Sequence, residues 1–102
     1  MVHKFVYRDD AVADLAALYD YIARDNSPEI AIGYVRRIQE ACQWLANFPE
    51  HGRRRDDILP GLRTIGFERR ATIAFRVLKR RVEIVTIAYG GRDFEAKLRK
   101  GK

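Results

Sequence analysis

An α+β domain is what this 102-residue chain predicts. Two successive stretches place apolar residues at helical spacing, and three later stretches alternate in the manner of strands. A slightly acidic helical half thus precedes a basic, strand-forming half. The predicted order is an N-terminal strand, an antiparallel helical hairpin and a three-stranded antiparallel meander, with the helices on one face of the sheet.

Val2 to Tyr7 is short and rich in aromatic and β-branched residues, so it reads as a strand. Asp9 and Asp10 are expected to cap the next helix, because a short carboxylate accepts the free N–H groups of a first turn. Ala11, Val12, Leu15, Leu18, Tyr19 and Ile22 then form one apolar stripe, which Arg24-Asp25-Asn26 ends. Ser27-Pro28-Glu29 restarts a helix: a cap oxygen, a preset φ and a favourable charge in turn. Ala31, Val35, Ile38, Cys42 and Leu45 recur at steps of three and four, with Tyr34, Ala41 and Phe48 flanking, until Pro49 stops the pattern. A short loop between two such helices implies an antiparallel pair.

Residues 49–61 hold two prolines, two glycines and Arg53-Arg54-Arg55-Asp56-Asp57, and are expected to form a polar loop. Strands are predicted over Leu62–Phe67, Thr72–Leu78 and Val82–Tyr89, with Lys79-Arg80-Arg81 as the turn between the last two. Ile73, Phe75 and Val77 fall on one face, Thr72, Ala74 and Arg76 on the other. Both faces of residues 71–89 carry apolar side chains. A sheet covered on one side should alternate more cleanly, so a partner is expected over the second face. The domain is predicted to span 1–93, followed by a basic tail over 94–102.

A chain of this size buries roughly 60–70% of its unfolded surface, enough to fold but with little room for a closed substrate pocket. Its 47% hydrophobic content is that of an ordinary globular domain. No apolar run reaches the ~18 residues of a membrane span and no secretory leader is evident, so no membrane association and a cytoplasmic location are expected. Cys42 is the single cysteine, which rules out an internal disulfide. Residues 1–50 carry 5 Lys/Arg against 8 Asp/Glu, or −3, and residues 51–102 carry 15 against 6, or +9. Such asymmetry points to nucleic acid, to an acidic protein partner, or to a solvated surface.

Arg63, Arg69, Arg70, Arg76 and Arg81 fall on or beside strands, which hold guanidinium forks in register for phosphate or carboxylate. His3 and His51 lie in different segments with no orienting carboxylate, so proton transfer by histidine is not expected. Asp56-Asp57 offers too few oxygen ligands for a hard cation, and no phosphate-binding glycine loop or zinc spacing is present; no metal or cofactor is expected. Trp44, beside the second helical stripe, reads as packing. Tyr89, ending the last strand, could act on a ribose hydroxyl only if nearby cations lowered its pKa from about 10.

Taken together, Asp14-Leu15, Tyr21-Ile22, Val35-Arg36-Arg37-Ile38, Leu45-Ala46-Asn47-Phe48-Pro49, Gly52-Arg53, Pro60-Gly61-Leu62-Arg63, Ile73-Ala74-Phe75-Arg76-Val77, Val82-Glu83-Ile84-Val85 and Gly91-Arg92-Asp93 resemble, in order and spacing, the ParE/RelE toxins of bacterial type II toxin–antitoxin systems. The likeness is to the ParE branch in particular. It implies a non-enzymatic toxin that inhibits DNA gyrase and halts replication, neutralised by a ParD-like antitoxin with a ribbon-helix-helix N-terminus. Operator DNA would be reached only through that antitoxin. Arg63, Arg70, Arg76, Tyr89 and Arg92 are then the expected target-binding residues. RelE relatives instead cut messenger RNA on the ribosome, and in that alternative Arg63, Arg76 and Tyr89 would be catalytic. The chain lacks the lysine-rich loop of those nucleases and has Arg53-Arg54-Arg55 there.

Overall fold

The computed structural model describes residues 4–90 and Leu98. Along the chain run β1 (Lys4–Tyr7), α1 (Asp9–Asp25), α2 (Pro28–Asn47), β2 (Arg53–Arg54), β3 (Leu62–Phe67), β4 (Ala71–Leu78) and β5 (Arg81–Tyr89). The α+β class and the meander of β3, β4 and β5 are as predicted, within a larger, mixed sheet. Among the described residues it has five strands in the order β1-β5-β4-β3-β2. β1 joins it parallel to β5, pairing Lys4 with Arg81 and Tyr7 with Ile84. At the other edge, Arg53 and Arg54 pair with Thr64 and Arg63 inside the stretch expected to be loop.

Local chemistry sets the helix ends. α1 starts after Arg8, which makes no side-chain cap; Asp9 and Asp10 sit within the first turn. They therefore act through the positive end of the helix dipole, not as the predicted caps. The Ser27 hydroxyl does cap α2, accepting from the Ile30 N–H at 3.2 Å, and Pro28 takes the first helical position. α2 ends at Asn47, because the ring of Pro49 disfavours helical backbone at Phe48.

Apart from Val12, which faces solvent at 54% exposure, the predicted stripes meet in one core. Ala11, Leu15, Leu18 and Ile22 of α1 and Ala31, Tyr34, Ile38, Cys42 and Leu45 of α2 bury against Ile73, Phe75, Val82, Ile84 and Ile87 of the sheet. Each fully buried Leu, Ile or Phe contributes about 1.5–3 kcal/mol before entropy is counted. The second apolar face is covered by the chain itself: Ile58 of the β2–β3 loop and Leu98 pack on Leu62, Ala74 and Val85. The expected need for a partner over that face is thereby corrected. The predicted boundary at residue 93 and the rest of the 94–102 tail lie outside the described residues.

A bulge interrupts the β4–β5 ladder: Ala74 pairs with Thr86 and Phe75 with Ile84, leaving Val85 as the extra residue. Beside it, the buried Asp14 carboxylate of α1 accepts from the Thr86 hydroxyl and, at 2.9 Å, from the Ile87 N–H. That clamp fixes the height of α1 along β5.

Cys42 is wholly buried beside Tyr7, and burial pushes its thiol up to about 12. A thiol reagent at pH 8 is therefore expected to label the protein only after denaturation. Prompt labelling of the native protein would contradict the packing of α2 on β1.

Candidate functional site

The arginines proposed from sequence fall at two ends of the sheet. The register measures their separation: Tyr89 is opposite Ala71, whereas Arg76 is opposite Glu83. Five residues along β4 separate the two positions, on the order of 17 Å. At the first, basic end lie Arg63, Arg76 and the Lys79-Arg80 turn; at the second lie Tyr89 and Arg70.

Arg63 and Arg76 also occupy opposite faces. Directly paired residues share a face. Arg63 is opposite Phe75, on the helix-covered side, and its Nη1 donates to the Glu50 carbonyl at 3.0 Å. Arg76 is opposite Leu62, on the outer side; its Nε donates to the Pro60 carbonyl at 3.2 Å and its Nη1 lies 4.0 Å from Glu83. Each holds an end of the β2-bearing loop. Arg92 lies outside the described residues.

Tyr89 belongs to an aromatic cluster at the second end. Its ring meets Tyr21 and Tyr34 edge-on, both at 5.7 Å, and Tyr34 meets Phe67 at 5.6 Å. The Arg70 guanidinium lies beside Tyr89, whose nearby hydroxyl favours its charged form. Arg37 lies 5.2 Å from the centre of the Tyr34 ring and grips Glu68 with two bonds, of 2.8 and 3.0 Å. This bidentate bond, with the charge of Arg37, holds the Glu68 carboxyl below its ordinary value. Glu68 and Arg69 are the central residues of the β3–β4 turn, with φ of +50° and +61°. Such left-handed conformations suit glycine or asparagine and cost these residues strain. The Arg70 N–H to Phe67 carbonyl bond, 3.1 Å, and the Arg37 clasp hold the turn.

A cleft of about 470 Å³ opens here between the helix hairpin and the strand ends, lined by Tyr21, Tyr34, Arg37, Glu68, Arg70 and Tyr89 among others. Tyr34 is buried, its hydroxyl without a hydrogen-bond partner among the described residues, and burial raises its pKa. An unsatisfied buried hydroxyl costs about 1–3 kcal/mol. Tyr34→Phe is therefore expected to raise Tm by a few degrees; a fall would show that the hydroxyl is satisfied.

Sequence reading singled out neither Arg37 nor Glu68, which lie 31 positions apart and meet only through the packing of α2 over the β3–β4 turn. It placed Trp44 in packing. Trp44 and Phe48 instead remain 42% and 48% exposed and meet His51 edge-on, the Trp44 ring centre lying 4.8 Å from that of Phe48 and 4.6 Å from that of His51. Trp44 is two positions beyond Cys42 and so turns off the Ile38–Cys42–Leu45 face. Among the described residues no group of His, Cys, Asp and Glu is arranged to hold a metal, and no helix is long and apolar enough to cross a membrane.

The architecture is that of a small α+β domain, a helix hairpin laid on a mixed five-stranded sheet with an antiparallel meander at its centre. A family model described as the ParE toxin of the type II toxin–antitoxin system parDE matches residues 5–94. The chain belongs to that family of toxins. Among solved structures, the chromosomal ParDE TA system from P. aeruginosa is similar at 30% identity with a TM-score of 0.76, over 87% of this chain and 97% of that one. A search of curated protein sequences finds no match.

Proposed function

We propose that this ParE-family toxin acts without catalysis, by binding DNA gyrase, stabilising its DNA-cleaved state and so halting replication. The observation that carries this reading is the dispersal of the groups a nuclease would need. Arg63 and Arg76 lie on opposite faces, and Tyr89 is removed from Arg76 by five residues of strand. Ribonuclease chemistry requires an acid–base group and its phosphate-stabilising cations within hydrogen-bond reach of one substrate. The cytoplasm, where gyrase works, is the proposed location.

A ParD-like antitoxin is the proposed neutralising partner, the similar P. aeruginosa structure being of a ParDE system. Its toxin-binding segment would combine apolar anchors with acidic residues, to meet the +9 of residues 51–102. Operator DNA would be reached through the antitoxin's ribbon-helix-helix region. Among the residues proposed for target contact, Arg70 and Tyr89 border the open cleft, with Arg92 following shortly in sequence. Arg63 and Arg76 combine any such contact with holding the loop.

A plasmid supercoiling assay with purified, antitoxin-free protein tests this reading. Supercoiling is expected to fall with toxin concentration and to recover when the antitoxin is added. Unimpaired supercoiling at a large molar excess of toxin would overturn it.

A further inference from the structure

At the basic end, the parallel pairing of β1 with β5 sets Lys4 opposite Arg81 and bonds the Lys4 N–H to the Arg80 carbonyl at 2.9 Å. The β4–β5 turn places Lys79 and Arg80 alongside. Lys4, Lys79, Arg80 and Arg81 thus line one shallow depression of about 360 Å³ with Leu78, and no carboxylate among the described residues lines it. All four basic residues are exposed. Glu83, the nearby acid, is largely buried between Arg76 and Arg81, at 4.0 and 3.8 Å. The side chains of Lys4, Lys79 and Arg80 have no hydrogen bond or ion pair among the described residues. Elsewhere among the described residues of the basic half, Arg54 pairs with Asp56, Arg55 with Asp57, and Arg63 and Arg76 with carbonyls, while the exposed Arg53 and Arg69 have no such partner but are not gathered with other cations in one depression.

We infer that this corner binds the phosphate backbone of duplex DNA, a contact additional to the proposed binding of gyrase. Four like charges gathered by two separate elements repel one another, and a polyanion relieves that repulsion while releasing its own counterions. Among the described residues the depression offers Leu78 as its single apolar side chain, whereas a protein interface needs an apolar centre. No aromatic ring among the described residues lines it, so these residues supply no stacking platform of the kind by which proteins hold single strands. β1, β5 and β4 set their side chains about 4.8 Å apart, giving a strip roughly 10 Å wide. Each DNA strand presents a phosphate about every 3.4 Å of helix axis, so the strip faces about three phosphates of one strand, and the turn can reach another.

Fluorescence anisotropy with a fluorescein-labelled 20-base-pair duplex tests the inference, using the full chain between 50 and 200 mM NaCl. Four neutralised phosphates predict a log–log salt slope of about −4 and a loss of affinity of about a hundredfold across that range. The double variant Lys79→Gln/Arg80→Gln should flatten the slope by about 2, so that its affinity falls only about tenfold. Arg24→Gln/Arg36→Gln removes the same charge from the exposed helix surface and should leave the slope unchanged. Equal effects of the two double variants would overturn the inference, as would unaltered binding by Lys79→Gln/Arg80→Gln. Tighter binding of a labelled single-stranded RNA of equal length, or equal competition by polyglutamate, would also overturn it. The assay contains no gyrase, so its outcome and that of the supercoiling assay are independent.

Discussion

Asp14→Ala is expected to remove a large part of the stability of this domain. The carboxylate is buried between α1 and the bulge of β5, where it accepts from the Thr86 hydroxyl and the Ile87 N–H. Hydrogen bonds to a charged group contribute about 1.5–3 kcal/mol each, and removing the acceptor leaves two buried donors without a partner. The expected loss is roughly 3–5 kcal/mol, to be set against the 5–15 kcal/mol typical of a whole domain. Urea denaturation should show the midpoint falling sharply for Asp14→Ala and less for Asp14→Asn, which keeps one acceptor oxygen. A loss below about 1 kcal/mol would mean that the clamp is not what holds α1 on the sheet.

Gly52→Ala is the second large effect, and its character is local. Gly52 has φ of +89°, and an added Cβ would stand 2.7 Å from the Thr64 carbonyl oxygen, a backbone atom that cannot swing away. The conformation alone costs a non-glycine residue about 1–3 kcal/mol, and the clash adds to it. Relief comes most readily by detaching β2, which has only the pairs Arg53–Thr64 and Arg54–Arg63 to lose. The Arg55 N–H, bonded to the Leu62 carbonyl at 2.8 Å, should then lose its protection from hydrogen exchange while the β4–β5 ladder keeps its own. Gly61→Ala is the control: its φ of +78° carries the same backbone strain, with open space around the new methyl group. Equal effects of the two substitutions would contradict the close approach at Gly52.

These two positions mark what the sequence can report and what it cannot. The helices and the three meander strands were legible because burial on one face imposes a period, as in Ala31–Leu45 and in Ile73, Phe75 and Val77. Pro28 and Pro49 bounded α2 for reasons internal to the backbone. The edge strands carried no such period: β1 was legible as a strand from its aromatic and β-branched residues, but its place in the sheet was not. β1 pairs with β5 across 77 positions (Lys4 to Arg81), and the two residues of β2 are too short for any alternation. The outer apolar face was visible in Ala74 and Val85, but its cover by Ile58 and Leu98 depends on a loop path that no local pattern encodes.

The candidate site divides in the same way. Arginine-rich strands were evident, yet the face of a residue and its place along the sheet depend on register. Register put Arg63 opposite Phe75 and Arg76 opposite Leu62, hence on different sides. Tyr89 was read as a strand-end residue, and the structure adds its neighbours Tyr21, Tyr34 and Arg70. The Arg37–Glu68 clasp could not have been found from spacing, since its partners sit on a helix and on a turn bent into left-handed backbone.

The central claim is a toxin that traps gyrase on cleaved DNA instead of cutting RNA itself. Its most direct test incubates purified gyrase and supercoiled plasmid with the toxin, then denatures the mixture with detergent and protease. A linear plasmid band that grows with toxin concentration, and persists with Tyr89→Phe, is the predicted result. Plasmid that stays free of linear product, while messenger RNA is cleaved in a translating extract by the wild type and not by Tyr89→Phe, would contradict the account.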